Sequence, residues 1–259
     1  MRGHPLRQAR AILGHVARRT LPPAVLRHLR KVRRRRLGQP EVGLARLGDL
    51  RRLTPFSRRF GFDRGLPVDR YYIERFLAVH AHDVRGRVLE VKDDDYTRRF
   101  GGQRVTRSDV LHIVAGNPKA TIVADLTDAD SVPSGAFDCI ILTQVLPFIP
   151  DPQAAVRTLH RILAPGGCVL ATVPGICQVD RHEMERWGDY WRFTSLSARL
   201  VFERAFLPQH VSVEVYGNVL AAGALLYGLA SSELSPEELD FHDPDYEVVI
   251  AIRAVTPTR

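Results

Sequence analysis

The sequence predicts an α/β protein whose sheet is mostly parallel. One stretch, residues 137–175, contains two apolar runs of strand length separated by a run with helical spacing. Similar strand-like and helix-like runs alternate on both sides of it. The chain has 259 residues, and 45% of them are hydrophobic, which suffices for one domain with a sizeable core and an appendage.

Each boundary within residues 137–175 has a chemical cause. Residues 138–143 are nearly all apolar, as expected of a strand that is covered on both faces of a parallel sheet. Asp151 can cap a helix that begins at Pro152, where the missing N–H costs nothing. Pro165-Gly166-Gly167 ends that helix and leads into a second strand over residues 168–173. The stretch is therefore a β-α-β unit, whose crossover we expect to be right-handed.

Weaker patterns place the remaining elements. Pro67-Val68-Asp69 opens a helix, and a helix-strand-helix-strand series follows residue 194, with Ser195 as the cap of its first helix. An acidic loop, residues 233–246, precedes the last strand. The predicted strands outside the β-α-β unit cover residues 86–91, 120–124, 211–215 and 247–252.

The cysteines and the apolar runs bear on the compartment. Cys139 and Cys168 lie in apolar strands and form no C-x-x-C pair with Cys177, so buried free thiols in a reducing cytoplasm are expected. No secretory signal is expected, because the apolar run at residues 11–17 is short and contains a histidine. Residues 219–230 are too few to span a membrane and are predicted to form a buried helix.

Basic charge is concentrated near the start of the chain. The formal net charge is +8, but residues 1–40 contain twelve Lys or Arg and no acidic residue, so the remainder is slightly acidic. Three interpretations of this arm stay open: an extension that packs on the domain or is disordered, a helix on an anionic membrane surface, and a nucleic-acid contact. The last is least favoured, because the arm lacks interleaved aromatics. Two amphipathic patterns occupy the arm: Leu6, Ala9, Leu13 and Val16, then Val25, Leu26, Leu29 and Val32.

The β-α-β unit also carries a family resemblance. Phe137-Asp138, an apolar strand, Val145-Leu146, Asp151-Pro152, a helix leading to Pro165-Gly166-Gly167 and another apolar strand occur together in this order. The combination resembles strands four and five of the class I S-adenosylmethionine-dependent methyltransferases, in particular a "type 11"-like subset that acts mostly on small molecules and sugars. The resemblance covers residues 67–254 and implies a Rossmann-like seven-stranded mixed sheet of order 3-2-1-4-5-7-6, with the last strand antiparallel. Residues 1–66 would then be a basic helical arm and linker, and residues 67–259 the methyltransferase domain.

The resemblance implies S-adenosylmethionine as the cofactor, bound at the carboxyl ends of the strands. Asp109 lies nineteen residues after Glu90, close to the spacing at which a carboxylate meets ribose hydroxyls. Asp125 follows the next strand, where the family places an Asp that binds adenine. The residues expected at the cofactor are Glu90, Asp93, Asp109, Asp125, Leu126, Thr143 and Gln144.

The loop after Glu90 departs from the family pattern. Class I enzymes usually have a glycine-rich loop here, whereas this chain has Lys92-Asp93-Asp94-Asp95-Tyr96 and no glycine before Gly101-Gly102. We therefore expect a loop of different shape. Two interpretations stay open: the cofactor binds with Asp93 or Asp94 at its ammonium and Arg98 or Arg99 at its carboxylate, or the site has decayed.

Ionisable and aromatic side chains are concentrated in residues 180–194, which the fold places over the carboxyl ends of the strands. The family often has a histidine in the loop after strand four, but this chain has Pro147-Phe148 there, so a base must come from elsewhere. We expect His182 to take the acceptor's proton, because an imidazole can do so near neutral pH, and Asp189 to orient it or to bind a substrate hydroxyl. Asp180 and Glu183 are reserves for the base; Trp187 or Trp191, Tyr190 and Arg192 are the expected substrate contacts. The alternative is that the aromatic residues only fill a small core of this segment.

These features predict a methyltransferase that acts on a hydroxyl group of a saccharide or a glycosylated small molecule. The alternative is a methyltransferase-like domain without catalysis, which serves as a binding or scaffold protein in a glycan or natural-product pathway. Nucleic-acid methylation is supported only by the basic arm. No metal is expected, since His182-Glu183 lacks the second histidine of a zinc motif.

Overall fold

The computed structural model describes residues 22–258, and the chain divides into two compact units between residues 53 and 54. This division lies before the expected boundary at residue 67. The reason is that Phe56 and Ser57 both donate their backbone N–H to the carbonyl of Tyr227, at 2.8 and 3.3 Å. Residues 54–66 therefore belong to the unit that carries the sheet.

The smaller unit contains helix α1, Pro23–Arg36. Val25, Leu29 and Val32 are 41%, 51% and 36% exposed, and their spacing places them on one face of the helix. Lys31 forms an ion pair with Glu41 at 3.0 Å. The predicted pattern at Leu6–Val16 lies outside the described residues. In the part that is described, α1 therefore combines basic side chains with an exposed apolar stripe.

The larger unit is built on one seven-stranded sheet. Its strands are β1 Gly86–Val91, β2 Val105–His112, β3 Ile122–Val123, β4 Phe137–Thr143, β5 Leu163–Pro174, β6 Val211–Tyr216 and β7 Val249–Val255. The order is β3-β2-β1-β4-β5-β7-β6, and β7 pairs antiparallel with both β5 and β6. Val249 lies opposite Pro174 on one side and Tyr216 on the other, so the last strand is inside the sheet. The predicted topology is confirmed.

Helices cover both faces of the sheet. They are α2 Val68–Val79, α3 Pro152–Ile162, α4 Arg181–Trp187, α5 Ser195–Glu203, α6 Val219–Tyr227 and α7 Pro236–Asp240. One core lies between the sheet and helices α2 and α6, and the other lies between the sheet and helices α3 and α5. Within residues 22–258 no helix has both the length and the apolar character needed to cross a membrane.

The helix caps and element boundaries agree with the sequence predictions except at two places, the cap of α5 and the start of β5. Asp151 caps α3 as predicted and accepts the N–H of Ala154 at 2.9 Å. The cap of α5 is Thr194 instead of Ser195, because the Thr194 hydroxyl accepts the N–H of Ser197 at 3.2 Å. Strand β5 begins at Leu163 directly after α3, and the Pro165-Gly166-Gly167 turn is a shift in register within the start of that strand.

Candidate functional site

The carboxyl ends of β1 and β4 form the centre of the candidate site. These strands are neighbours in the sheet, and the chain leaves them in opposite directions, which is where ligands bind in such folds. Lys92 follows β1 with a φ of 79°, and Gln144 follows β4 with a φ of 57°. Non-glycine residues in this left-handed region are strained and are concentrated at functional sites. Both strands therefore end in strained turns at the same edge.

Lys92 makes the turn after β1 in a conformation that favours glycine. Its N–H donates to the carbonyl of Leu111 at 3.0 Å, and its own carbonyl accepts from Nδ2 of Asn117 at 2.7 Å. These two bonds, both made to residues distant in sequence, hold the backbone in the left-handed region. The loop thus turns tightly without the glycine-rich sequence of the resembling family.

Glu90 fixes the position of this loop. Its carboxylate is 3% exposed and accepts the backbone N–H and the hydroxyl of Thr97, at 2.7 and 2.8 Å. Burial raises the pKa of Glu90 to about 7, against the opposing effect of the hydrogen bonds from Thr97. Glu90 therefore acts as a cap for the helical turn Thr97–Gly101, and both of its oxygens face this loop.

Arg70, on the first turn of α2, extends to the same loop. Its Nη1 donates to the hydroxyl of Tyr96 at 3.4 Å. Burial acts to lower the pKa of Arg70, but the negative charges of Asp69 and Asp93 and the hydrogen bond with Tyr96 outweigh it and raise the pKa. The sequence analysis missed Arg70, because nothing in the amphipathic pattern of α2 distinguishes this arginine from a solvent-facing one.

The arginines expected at the cofactor, Arg98 and Arg99, have other partners. The Nε of Arg98 donates to Asp94 at 2.7 Å, and Arg99 pairs with Glu74 at 2.8 Å. Both arginine side chains are more than half exposed. Arg98 and Arg99 are thus already paired with carboxylates, and Arg70 is a third arginine that reaches this loop.

Asp69 is a half-buried acidic residue beside Arg70. Its Oδ1 accepts the N–H of Arg70 at 2.9 Å, and burial raises its pKa. Burial also raises the pKa of Cys177, which follows β5, to about 11, and the charge of Asp69 adds to that shift. An acidic side chain thus lies between the start of α2 and the end of β5.

Asp109 does not lie where the ribose was expected. It is in the middle of β2, opposite Leu89, and is 1% exposed. Its carboxylate accepts from Nε of Arg87 at 2.7 Å and from the hydroxyl of Thr121 at 2.9 Å. Burial acts to raise its pKa, but these hydrogen bonds lower it. Because β2 continues to His112, the residue at the site edge is His112, and Asp109 supports the sheet instead.

Asp125 and Leu126 follow β3 at the same edge of the sheet. Asp125 is exposed, and its Oδ1 accepts both the N–H and the hydroxyl of Thr127 at 2.8 Å. Leu126 is buried in the core. Thr143 and Gln144, at the end of β4, are half-buried and lie next to the turn at Lys92 in the sheet order. The structure therefore brings these four expected cofactor residues to the carboxyl edge, where Glu90 and Asp93 also lie.

The segment 180–194, here called the lid, contacts the ends of four strands. The Trp187 ring meets the His112 ring edge-on, with centroids 6.1 Å apart, and Oε1 of Glu183 lies 4.0 Å from Nζ of Lys92. Nε1 of Trp191 donates to the carbonyl of Ile149 at 3.0 Å, beyond the end of β4. The N–H of Phe193 donates to Pro174 at the end of β5, at 2.9 Å.

Asp189 and Arg192 hold the lid in its own shape. The two terminal nitrogens of Arg192 donate to the two oxygens of Asp189, at 2.6 and 2.8 Å, and the N–H of Asp180 donates to Asp189 at 2.9 Å. The Asp189 side chain is 1% exposed. The expected roles of Asp189 with His182 or a substrate hydroxyl, and of Arg192 as a substrate contact, are thereby corrected, because these groups bind each other.

The remaining lid residues have free polar or aromatic surface. His182 is exposed on the first turn of α4, and its ring makes no hydrogen bond with any residue in the range 22–258. Tyr190 and Trp191 are 52% and 40% exposed. Asp180 is the cap of α4 and accepts the N–H groups of His182 and Glu183, so it is not a free base.

A sequence profile described as a methyltransferase domain matches residues 52–211. No curated protein sequence matches the chain.

Three solved structures illustrate the likeness in fold. A methyltransferase from Archaeoglobus fulgidus is 11% identical, with a TM-score of 0.50 and coverage of 77% of this chain and 100% of that one. A methyltransferase from Mesorhizobium loti is 16% identical, with a TM-score of 0.47 and coverage of 75% and 100%. An N-methyltransferase from Haemonchus contortus, solved with S-adenosylhomocysteine, is 13% identical, with a TM-score of 0.45 and coverage of 78% and 60%.

Proposed function

We propose that this chain methylates a hydroxyl group of a saccharide or a glycosylated small molecule. The chain belongs to the methyltransferase-domain family and is an S-adenosylmethionine-dependent methyltransferase. The single observation that carries this proposal is the set of side chains gathered at the carboxyl ends of β1 and β4. It combines the half-buried charges of Arg70 and Asp69 with the exposed aromatic rings of the lid. Such a mixture suits a ligand that has both polar groups and an apolar ring face.

The residues at this edge of the sheet fit S-adenosylmethionine. We assign the half-buried guanidinium of Arg70 to the carboxylate of the cofactor and Asp93 to its ammonium group. We assign His112, at the end of β2, and Asp125, just after β3, to the ribose and adenine end of the cofactor. Glu90 fixes the position of the loop after β1. The bound cofactor supplies a methyl group on a positively charged sulfur, which is already a strong donor.

The protein then has two tasks, which are to align the acceptor oxygen and to remove its proton. Positioning can contribute several kcal/mol, and a base contributes about 10²- to 10⁴-fold in rate. His182 is the proposed base, since its ring has no hydrogen-bond partner among the described residues and lies on the lid. Trp187, Tyr190 and Trp191 supply aromatic surface for a sugar ring.

Transfer of radiolabelled methyl groups from the cofactor into a protein-free polar extract tests this proposal. His182→Ala should lower turnover at least about a hundredfold while the affinity for S-adenosylhomocysteine is kept. The neighbouring Arg181→Ala is the matched control, because Arg181 is equally exposed on α4. Unchanged turnover of His182→Ala would exclude it as the base, and Asp69 would be the next residue to test.

The second candidate is a non-catalytic binding or scaffold protein. It is favoured by one observation, the Lys92 side chain at a position where the family resembled usually has glycine. In that case S-adenosylhomocysteine would give no heat in a calorimetric titration of the folded protein.

We also propose a peripheral contact with anionic membrane through the basic arm. In α1 the exposed apolar stripe of Val25, Leu29 and Val32 accompanies basic residues on the same helix. Stable attachment usually needs both an apolar and an electrostatic contribution, and α1 offers both.

A further inference from the structure

Two buried polar groups at the ends of β4 and β5 have no partner. Thr172 is fully buried, and its hydroxyl Oγ1 makes no hydrogen bond with any residue in the range 22–258. The same holds for the buried side-chain nitrogen Nε2 of Gln144. Leaving such groups unpaired costs free energy, so each one requires an explanation.

The two groups are neighbours in the sheet. The backbone N–H of Gln144 donates to the carbonyl of Thr172 at 2.8 Å, and Thr143 is the register partner of Thr172. Gln144 is also one of the residues with a strained positive φ. Two independent signs of stored free energy thus coincide at adjacent strand ends.

The lid is attached on both sides of this pair. The N–H of Tyr190 donates to the carbonyl of Pro147, which follows β4, at 2.8 Å. The N–H of Phe193 donates to the carbonyl of Pro174, which ends β5, at 2.9 Å. The lid is therefore fastened beside the ends of both strands that carry the pair.

The position of the pair indicates which ligand it meets. The switch point between β1 and β4 holds the cofactor, and β5 lies on the far side of β4. A molecule over β4 and β5 therefore lies beside the cofactor and away from the strands β2 and β3 that take its nucleoside end. This is the place of the methyl acceptor.

We propose that Gln144 and Thr172 bind adjacent hydroxyl groups of a polyhydroxylated methyl acceptor. The amide nitrogen of Gln144 donates to one hydroxyl oxygen, which leaves that oxygen a second lone pair for the reaction. The Thr172 hydroxyl donates to, or accepts from, the neighbouring hydroxyl. The backbone of Gln144 stays at the cofactor edge, and only its side chain is assigned to the acceptor. This inference rests on the proposed function and names the acceptor as a vicinal diol.

The unpaired hydroxyl of Thr172 can be tested by measuring thermal stability, without any acceptor. Thr172→Val removes an unpaired hydroxyl at nearly constant volume, so the melting temperature of the ligand-free protein should stay the same or rise. Thr256→Val is the matched control, because Thr256 is also buried but donates to the carbonyl of Ala164 at 2.6 Å. That control should melt at a lower temperature. A fall for Thr172→Val as large as that of the control would overturn the proposal.

Methyl transfer gives the second readout. With the same protein-free polar extract, Thr172→Val and Gln144→Met should lower transfer at least about tenfold. Thr172→Ser, which keeps the hydroxyl, should restore most of it. The affinity for S-adenosylhomocysteine should be unchanged in all three variants. Wild-type transfer rates in Thr172→Val would refute this inference alone, whereas a wild-type protein that does not bind S-adenosylhomocysteine would refute the proposed function.

Discussion

Asp189 and Arg192 form a two-point ion pair in which both carboxylate oxygens accept from the guanidinium, at 2.6 and 2.8 Å. The Asp189 side chain is 1% exposed, and Arg192 also donates to the carbonyl of Gln178 at 2.6 Å. The pair thus links two residues within the lid, and Arg192 also connects the lid to the segment that follows β5. The order of the lid depends on this contact.

Replacing Asp189 by Asn should destabilise the protein by about 3 kcal/mol, because it leaves the partly buried Arg192 without its counter-charge. Urea unfolding measures the change. Glu203→Gln is the control, since its pair with Arg199 is more exposed and should contribute less than about 1 kcal/mol. Equal, small effects of both substitutions would show that the lid does not depend on this pair.

Glu90 should make the stability of the folded protein fall as the pH rises. Burial raises its folded-state pKa from the ordinary 4.5 to about 7, so the folded state holds its proton at pH values where the unfolded state has lost it. This group therefore lowers stability as the pH rises from 4.5 to 7, by up to about 3 kcal/mol. The stability of Glu90→Gln relative to the wild type should increase over this interval and then level off. Parallel stability curves for the two proteins would contradict the assignment.

Lys92→Gly should make the protein more stable by about 1 kcal/mol, because glycine adopts a φ of 79° without strain. Binding of S-adenosylhomocysteine should persist. Lys119→Gly is the control, since Lys119 is also exposed and is not among the residues with positive φ, and it should be neutral or destabilising. A loss of stability in Lys92→Gly would mean that the lysine side chain, including its contact with Glu183, outweighs the backbone strain.

Co-sedimentation with lipid vesicles tests the membrane proposal for the basic arm. The full chain should bind vesicles that contain anionic lipid, with affinity that falls as salt rises, at about 1 kcal/mol for each basic residue near the surface. A chain that starts at residue 41 should not bind. Equal sedimentation with neutral and anionic vesicles would remove the electrostatic basis of the proposal.

The fold was predictable because its signals are local. The apolar run of β4, the cap at Asp151 and the strand at residues 86–91 are each encoded within a few neighbouring residues. The sheet order came from the family resemblance, and the antiparallel position of β7 confirms it.

The site was less predictable because its geometry depends on distant partners. The turn at Lys92 is held by Asn117, which lies 25 residues further along the chain. Spacing alone placed Asp109 at the ribose, but pairing with β1 continues to Leu111, and β2 itself to His112. Asp189 and Arg192 resemble catalytic or substrate-binding groups in a sequence, and only their mutual hydrogen bonds identify them as a structural pair. Arg70 has no sequence signal at all, since its contact with Tyr96 depends on the packing of α2 beside the loop after β1.

The most direct test of the account is calorimetric titration with S-adenosylhomocysteine of the wild-type protein and two arginine variants. The wild type should bind, and Arg70→Met should weaken binding at least about tenfold, because it removes the half-buried charge assigned to the ligand carboxylate. Arg99→Met, whose arginine pairs with Glu74 at the surface, should bind like the wild type. Unchanged affinity in Arg70→Met, or loss of affinity only in Arg99→Met, would contradict the assigned cofactor site.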